Sequence, residues 1–136
     1  MIARTRSRDR HAMEPEPVLG RTMHFHGFSL SGSMENERWR VFLADATAAI
    51  DMEPAGDAAE WTYPLANGAG GTGSTICQPI TESFLALDTW PDHGDHGGAY
   101  LIVCSCRPFF PGDLDHVFRK HGLTVTGDAD HRLEIR

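Results

Sequence analysis

Two apolar runs, Ser83 to Trp90 and Gly98 to Cys106, flank the segment Pro91-Asp92-His93-Gly94-Asp95-His96-Gly97, and this pattern constrains the fold more than any other stretch. The runs carry the leucine, β-branched and aromatic side chains of strands. The segment between them is built from Pro, Asp and Gly, each a turn former for its own reason. Joined as an antiparallel hairpin, the runs pair residues whose numbers sum to about 188, which sets Ser83 opposite Ser105 or Cys106. Hairpin geometry alone therefore predicts a serine hydroxyl beside a thiol.

The other elements follow from periodicity and punctuation. Thr22 to Leu30 holds Met23, Phe25 and, beyond Gly27, further apolar residues at strand spacing, and reads as the first strand. Ser33 offers an N-cap oxygen to a helix in which Trp39, Phe42, Leu43 and Ala46 share one face through Ile50, with Glu35 and Glu37 at its positive end. Trp61 and Tyr63 flank Thr62 in a short strand-like piece. Asn67 to Gly73 is a glycine-rich connection, and with no Lys-Ser/Thr following, it is not a phosphate cradle. Ser74 to Thr81 is a further strand in which Pro79, unable to donate to a ladder, implies an edge, a bulge or a bend. A second helix is expected with Asp113 as N-cap, Leu114, Val117 and Phe118 as its apolar face, Lys120 and His121 in the last turn and Gly122 as the stop. Leu123 to Thr126 and Arg132 to Ile135 then suggest a hairpin around Gly127-Asp128-Ala129-Asp130. This order predicts an α+β fold of two layers, a mainly antiparallel sheet with two helices on one face.

A length of 136 residues fits one domain, placed at 19–136, behind an arm at 1–18 whose composition, with Arg4, Arg6, Arg8 and Arg10 among polar residues, reads as disordered. Met13 offers an alternative start. A net charge of -7 disfavours a nucleic-acid surface, which needs clustered Lys and Arg, and suits a cationic small molecule instead. Cys77, Cys104 and Cys106 are odd in number and lack C-x-x-C spacing, which favours a reducing cytoplasm over a secreted disulfide framework. No signal-peptide h-region and no apolar run long enough for a membrane span is present.

The run Glu82-Ser83-Phe84, followed by Asp88-Thr89-Trp90-Pro91-Asp92, resembles the self-cleaving core of the bacterial-type, pyruvoyl-dependent S-adenosylmethionine decarboxylases. There a Glu-Ser bond within a Glu-Ser-His…His-Thr-Trp-Pro-Glu run breaks itself and the serine becomes a covalent pyruvoyl group. Weaker matches are Leu19-Gly20-Arg21 at the entry to the first strand, and Tyr63-Pro64 with the glycine loop. The resemblance implies that Ser83 becomes the pyruvoyl cofactor, that Glu82 becomes a new C-terminus, and that Cys106 gives a proton to the carbanion, with Cys104 the alternative thiol. It also implies that Asp88 and a nearby hydroxyl assist processing. That hydroxyl is Thr72, or Ser74 or Thr75 if the alignment is ungapped. Asp92 would hold a ribose, while Phe25, Tyr63 or Trp61 would stack on an adenine. The implied substrate is S-adenosylmethionine or a related amino acid, in polyamine synthesis, and the implied assembly a homodimer with sites near its interface.

Both family histidines are replaced, by Phe84 and Asp88, and His26 stands where the family has a substrate-contacting glutamate. A carboxylate titrates near ~3.9 against ~6.5 for imidazole, so Asp88 is the weaker base. Two other readings follow. One is a relative that never cleaves and acts as a binding or regulatory subunit. The other is a Cys/His metal module drawn from His24, His26, His93, His96, Cys104 and Cys106, although their spacing fits no common zinc motif.

Overall fold

The computed structural model describes residues 21–64, 71–81, 83–90 and 97–135, without the side chains of Arg21 and Ile135. The arm at 1–18, the start of the glycine loop, Glu82, and Asp92, His93 and His96 of the central turn lie outside the described residues. In chain order the elements are β1 (Arg21–Ser31), α1 (Asn36–Ala49), β2 (Ala59–Pro64), β3 (Thr72–Ile80), β4 (Ser83–Trp90), β5 (Gly98–Ser105), a 3-10 turn (Pro111–Leu114), α2 (Asp115–Lys120) and β6 (Thr124–Ile135). The strands form one antiparallel sheet in the order β2-β3-β4-β5-β1-β6, and both helices pack on it, so the expected α+β architecture is what the chain adopts.

Strand alternation divides the sheet into two faces. Phe28, Leu30, Ile76, Leu85, Leu87, Leu101 and Val103 point to the helix side, where they meet Trp39, Phe42, Leu43 and Ala46 of α1 and Val117 and Phe118 of α2 in one buried cluster. Each Val, Leu, Ile or Phe side chain among them taken fully from water contributes about 1.5–3 kcal/mol before chain entropy is counted. Among the described residues no helix covers the other face. Trp61 (56% exposed), Tyr63, Tyr100 and Leu133 stand on it.

The β4–β5 register is the expected one, from Ser83 opposite Ser105 to Trp90 opposite Gly98. Gly98 is required there, because a Cβ would lie 2.7 Å from the Trp90 indole nitrogen. Pro79 sits where β3 has run past the end of β2. Its carbonyl accepts from the Ala55 N–H at 2.9 Å on the side away from β4, so its missing donor costs the β3–β4 ladder nothing.

Three local expectations are corrected. Helix α1 begins three residues beyond Ser33, with Glu35 as N-cap and no side-chain cap. The second helix opens as a 3-10 turn with Pro111 in its first positions, and Leu114, not Asp113, precedes α2. Residues 124–135 are one strand, not a hairpin: Gly127, Asp128, Ala129 and Asp130 stay in register along β1, and Thr126 is taken up as a bulge beside Ser29.

Candidate functional site

Ser83 opens β4 directly after the β3–β4 turn, facing Ile80 on one side and Ser105 on the other. Its φ of 154° lies in the positive region that residues with a Cβ avoid, a strain of about 1–3 kcal/mol. Alternation would aim Ser83 at the helices with Leu85 and Leu87. Its hydroxyl instead donates to the sulfur of Cys104 at 3.5 Å, a residue on the helix-free side of β5. Cys104 is buried and lies opposite Phe25 of β1 and Phe84 of β4. The thiol singled out by the resemblance, Cys106, follows the end of β5, is half-buried and is engaged in a contact of its own.

Farther along the helix-free face, Asp88, Thr75 and Tyr63 form a hydroxyl chain across three strands. Thr75 Oγ1 donates to Asp88 Oδ1 at 2.7 Å, which leaves the Tyr63 hydroxyl to donate to Thr75 at 2.8 Å. Of the three candidate hydroxyls, Thr75 is thus the one that meets Asp88. Ser74 points to the helix side, bonded to Asn36 and Thr62, and Thr72 opens β3 opposite Pro64. Asp88 lies five residues up β4 from Ser83, about 17 Å at the ~3.3 Å rise of a strand. One chain therefore does not bring its Asp88–Thr75 pair to its own Ser83.

A shallow trough of about 480 Å³ lies on the same face beside β6, floored by Gly27, Gly127 and Ala129 and walled by Phe25, Tyr100 and His131. Gly27 makes room for Tyr100, whose hydroxyl would be 3.0 Å from a Cβ at that position. Phe25 and His131 stand 6.2 Å apart, centre to centre. Of the aromatic residues proposed for stacking, only Phe25 lines this trough; Trp61 and Tyr63 stand exposed at the opposite edge of the sheet.

The expected histidine pair on β1 is divided by its partners. His26 bonds Asp128 at 2.7 Å, while partial burial and the Arg132 guanidinium lower the pKa of His24. Among the described residues no three His, Cys, Asp or Glu side chains converge as a metal centre. Burial raises the pKa of the Cys77 thiol, which suits packing better than nucleophilic chemistry.

Two clusters escaped the sequence reading. Between the helices, the buried His121 lies 2.8 Å from Asp45, which also bonds Lys120 at 2.9 Å; Arg38 Nε donates to His121 Nδ1 at 3.1 Å. Since Arg38 can only donate, His121 carries its proton on Nε2 and gives it to Asp45. These hydrogen bonds, from Lys120 first and then His121, lower the pKa of Asp45. At the Ser83 end of the sheet, Arg107 bonds Ser105 and the carbonyl of Asp51. A basic residue just past a buried strand end was its only signal.

No helix among the described residues is long and apolar enough to cross a membrane. No protein-family model matches the chain, and no curated protein matches it.

Proposed function

We propose that this chain is a self-processing, pyruvoyl-dependent decarboxylase of the S-adenosylmethionine decarboxylase type that cleaves itself between Glu82 and Ser83. The observation that carries the reading is Ser83 itself: a residue with a positive φ, at the first position after a turn, with its hydroxyl turned onto the Cys104 sulfur. Strain of this kind in a serine that faces an ordinary strand partner needs a reason, and backbone scission releases it.

In the proposed reaction the Ser83 oxygen attacks the Glu82 carbonyl carbon. The C–O bond forms, the C–N bond breaks, and the hydroxyl proton ends on the freed Ser83 nitrogen, leaving an ester. Loss of the Ser83 Cα hydrogen to a base then drives the electron pair into a Cα–Cβ double bond, and the Cβ–O bond breaks with its pair leaving on the Glu82 carboxylate. Water exchange of the resulting enamine nitrogen for oxygen releases ammonia and completes the ketone. When present, that carbonyl supplies the electron sink that loss of CO2 from an amino acid requires. The residues fit such a group: Cys104, buried and within 3.5 Å of Ser83 Oγ, would return a proton to the carbanion, and Phe25, its partner on β1, would offer a ring to the substrate.

The distance between Ser83 and Asp88 makes the homodimer part of the proposal. Asp88 stands on the helix-free face, toward which the Ser83 hydroxyl is turned, and that face exposes Trp61, Tyr63, Tyr100 and Leu133. A second copy laid on this face with its β4 running the opposite way would set its Asp88–Thr75 pair above Ser83, where a base and a hydroxyl are needed. The substrate follows from the resemblance and the acidic surface: S-adenosylmethionine or a related cationic amino acid. Intact mass under denaturing conditions tests the reading, with two fragments divided at Glu82-Ser83 expected in place of the 15.0 kDa chain.

The second reading, a relative that never cleaves and serves as a binding subunit, is favoured by one observation. Asp88, standing where the family has its elimination histidine, is already held by Thr75. A single 15.0 kDa species after prolonged incubation supports it.

A further inference from the structure

The outermost strand of the sheet on one side is β6, and among the described residues nothing pairs with its far edge. Its residues are exposed from Thr124 to Glu134. Backbone N–H and C=O groups point alternately to either side of a strand, so roughly half of those in β6 are offered outward. The opposite edge of the sheet is guarded. There β2 has six residues, ends at Pro64, and is tied to α1 by Glu60, which accepts from Arg40 at 2.8 Å and from Asn36 at 3.0 Å. In contrast, β6 has twelve residues with no Pro and no Lys, and from Gly127 onward it keeps unbroken register with β1. A long, regular edge of this kind is a template for one more strand.

The side chains of β6 select what that strand carries. Asp128 and Asp130 pair with Phe28 and His26, so alternation places both on the helix side, two residues apart. Asp128 bonds His26 at 2.7 Å and still has 52% of its side chain exposed. On the other side, Gly127 and Ala129 carry the floor of the trough up to the edge, with Phe25, Tyr100 and His131 as its walls. An added strand therefore meets carboxylates at two alternate positions and an apolar hollow at the position between them. The net charge of -7 adds a long-range preference for a cation. A second copy of β6 fits poorly. Antiparallel self-pairing centred on Asp128 or on Asp130 sets that carboxylate against its own copy, and centred on Ala129 it sets Asp128 against Asp130. Like charges directly opposite destabilise a ladder.

We propose that the outer edge of β6 is a docking site for an extended segment of a partner protein in which two basic residues flank a bulky aromatic or aliphatic one. The basic pair faces Asp128 and Asp130, and the side chain between them lies over Ala129 into the trough. Main-chain hydrogen bonds supply the affinity, and the alternate side chains set the choice of partner. This interaction does not depend on chain splitting.

The test is fluorescence anisotropy of a labelled threonine-rich peptide with Arg-Tyr-Arg at its centre, titrated with the full chain at about 0.15 M salt to screen distant charge. Amide hydrogen exchange locates the contact. Expected are saturable binding and slowed exchange of the outward amides of β6. Both should be lost in one of the two alternately N-methylated forms of the peptide and kept in the other, because only one set of its amides faces β6. Asp130→Lys is expected to weaken the Arg-Tyr-Arg peptide about 10-fold and to strengthen a Glu-Tyr-Glu peptide by a similar factor, as one cross-strand attraction becomes a repulsion. Should Asp130→Lys fail to fold, a folded Asp130→Asn with a loss of about threefold supports the same site. No saturation up to about 1 mM peptide, equal affinity for the two charge forms, or binding that the two N-methylated forms keep or lose alike overturns the proposal. So does slow exchange along the outer edge of β6 in the chain alone: independent of concentration, it means that another part of the chain fills the edge; rising with concentration, that a second copy does.

Discussion

The hydroxyl of Ser83 points at the sulfur of Cys104, 3.5 Å away, although strand alternation assigns these residues to opposite faces of the sheet. The positive φ at Ser83 is what turns it. Replacing Ser83 by Gly removes the Cβ that makes this conformation costly. Ser83→Gly is expected to raise stability by about 1 kcal/mol in urea unfolding while abolishing chain splitting. Ser83→Ala, which keeps the Cβ, abolishes splitting without that gain.

The two thiols separate by position. Cys104 touches Ser83, whereas Cys106 lies past the strand end. Cys104→Ala is expected to leave splitting intact but to reduce decarboxylation of the processed enzyme by at least about 100-fold, as loss of a general acid does. Cys106→Ala is expected to change turnover less than threefold. Assay of CO2 release from the processed variants decides between them, and the reverse order would return the proton-donor role to Cys106.

Much of the fold was legible because burial and local chemistry agree. The β4–β5 register follows from a turn between two apolar runs, and α1 from its stripe of Trp39, Phe42, Leu43 and Ala46. They disagree in β6, where Gly127 to Asp130 has the local chemistry of a turn yet pairs along β1. Tertiary pairing overrode the turn, and no single-segment signal carries that information. The same limit applies to the site. A serine gives no sign in the sequence of a positive φ, so the hairpin register and the resemblance pointed to Cys106 ahead of Cys104. Thr75 became distinguishable from Thr72 and Ser74 only once the β3–β4 pairing set it beside Asp88.

The Asp45–His121 contact between the helices has a pH signature. Hydrogen bonds from Lys120 and His121 depress the carboxyl's pKa, so its contribution to stability is complete above the ordinary carboxylate value and is lost as pH falls through the lower folded one. Asp45→Asn is expected to cost about 1 kcal/mol at pH 7 and to flatten the fall in stability below about pH 4. Urea midpoints measured from pH 7 to pH 3 check both. Nitrogen chemical shifts of His121 should report a proton on Nε2 at neutral pH, since Arg38 occupies Nδ1.

The helix-free face tests the assembly. Trp61→Glu and Tyr100→Glu put charge on its exposed aromatic positions and are expected to convert a dimer, at twice the 15.0 kDa chain mass, into a monomer in sedimentation velocity. In the monomer splitting should slow about 100-fold or more, because Asp88 and Thr75 would no longer meet Ser83. Equal splitting rates in monomer and dimer would contradict the shared site.

The most direct test of the account is the intact mass of the purified wild-type chain after prolonged incubation under native conditions, read in denaturant. The account predicts two pieces, one ending at Glu82 and one beginning at position 83 with a ketone in place of its amino group, detectable by reaction with a hydrazine. A single 15.0 kDa chain that stays whole and carries no carbonyl would contradict it.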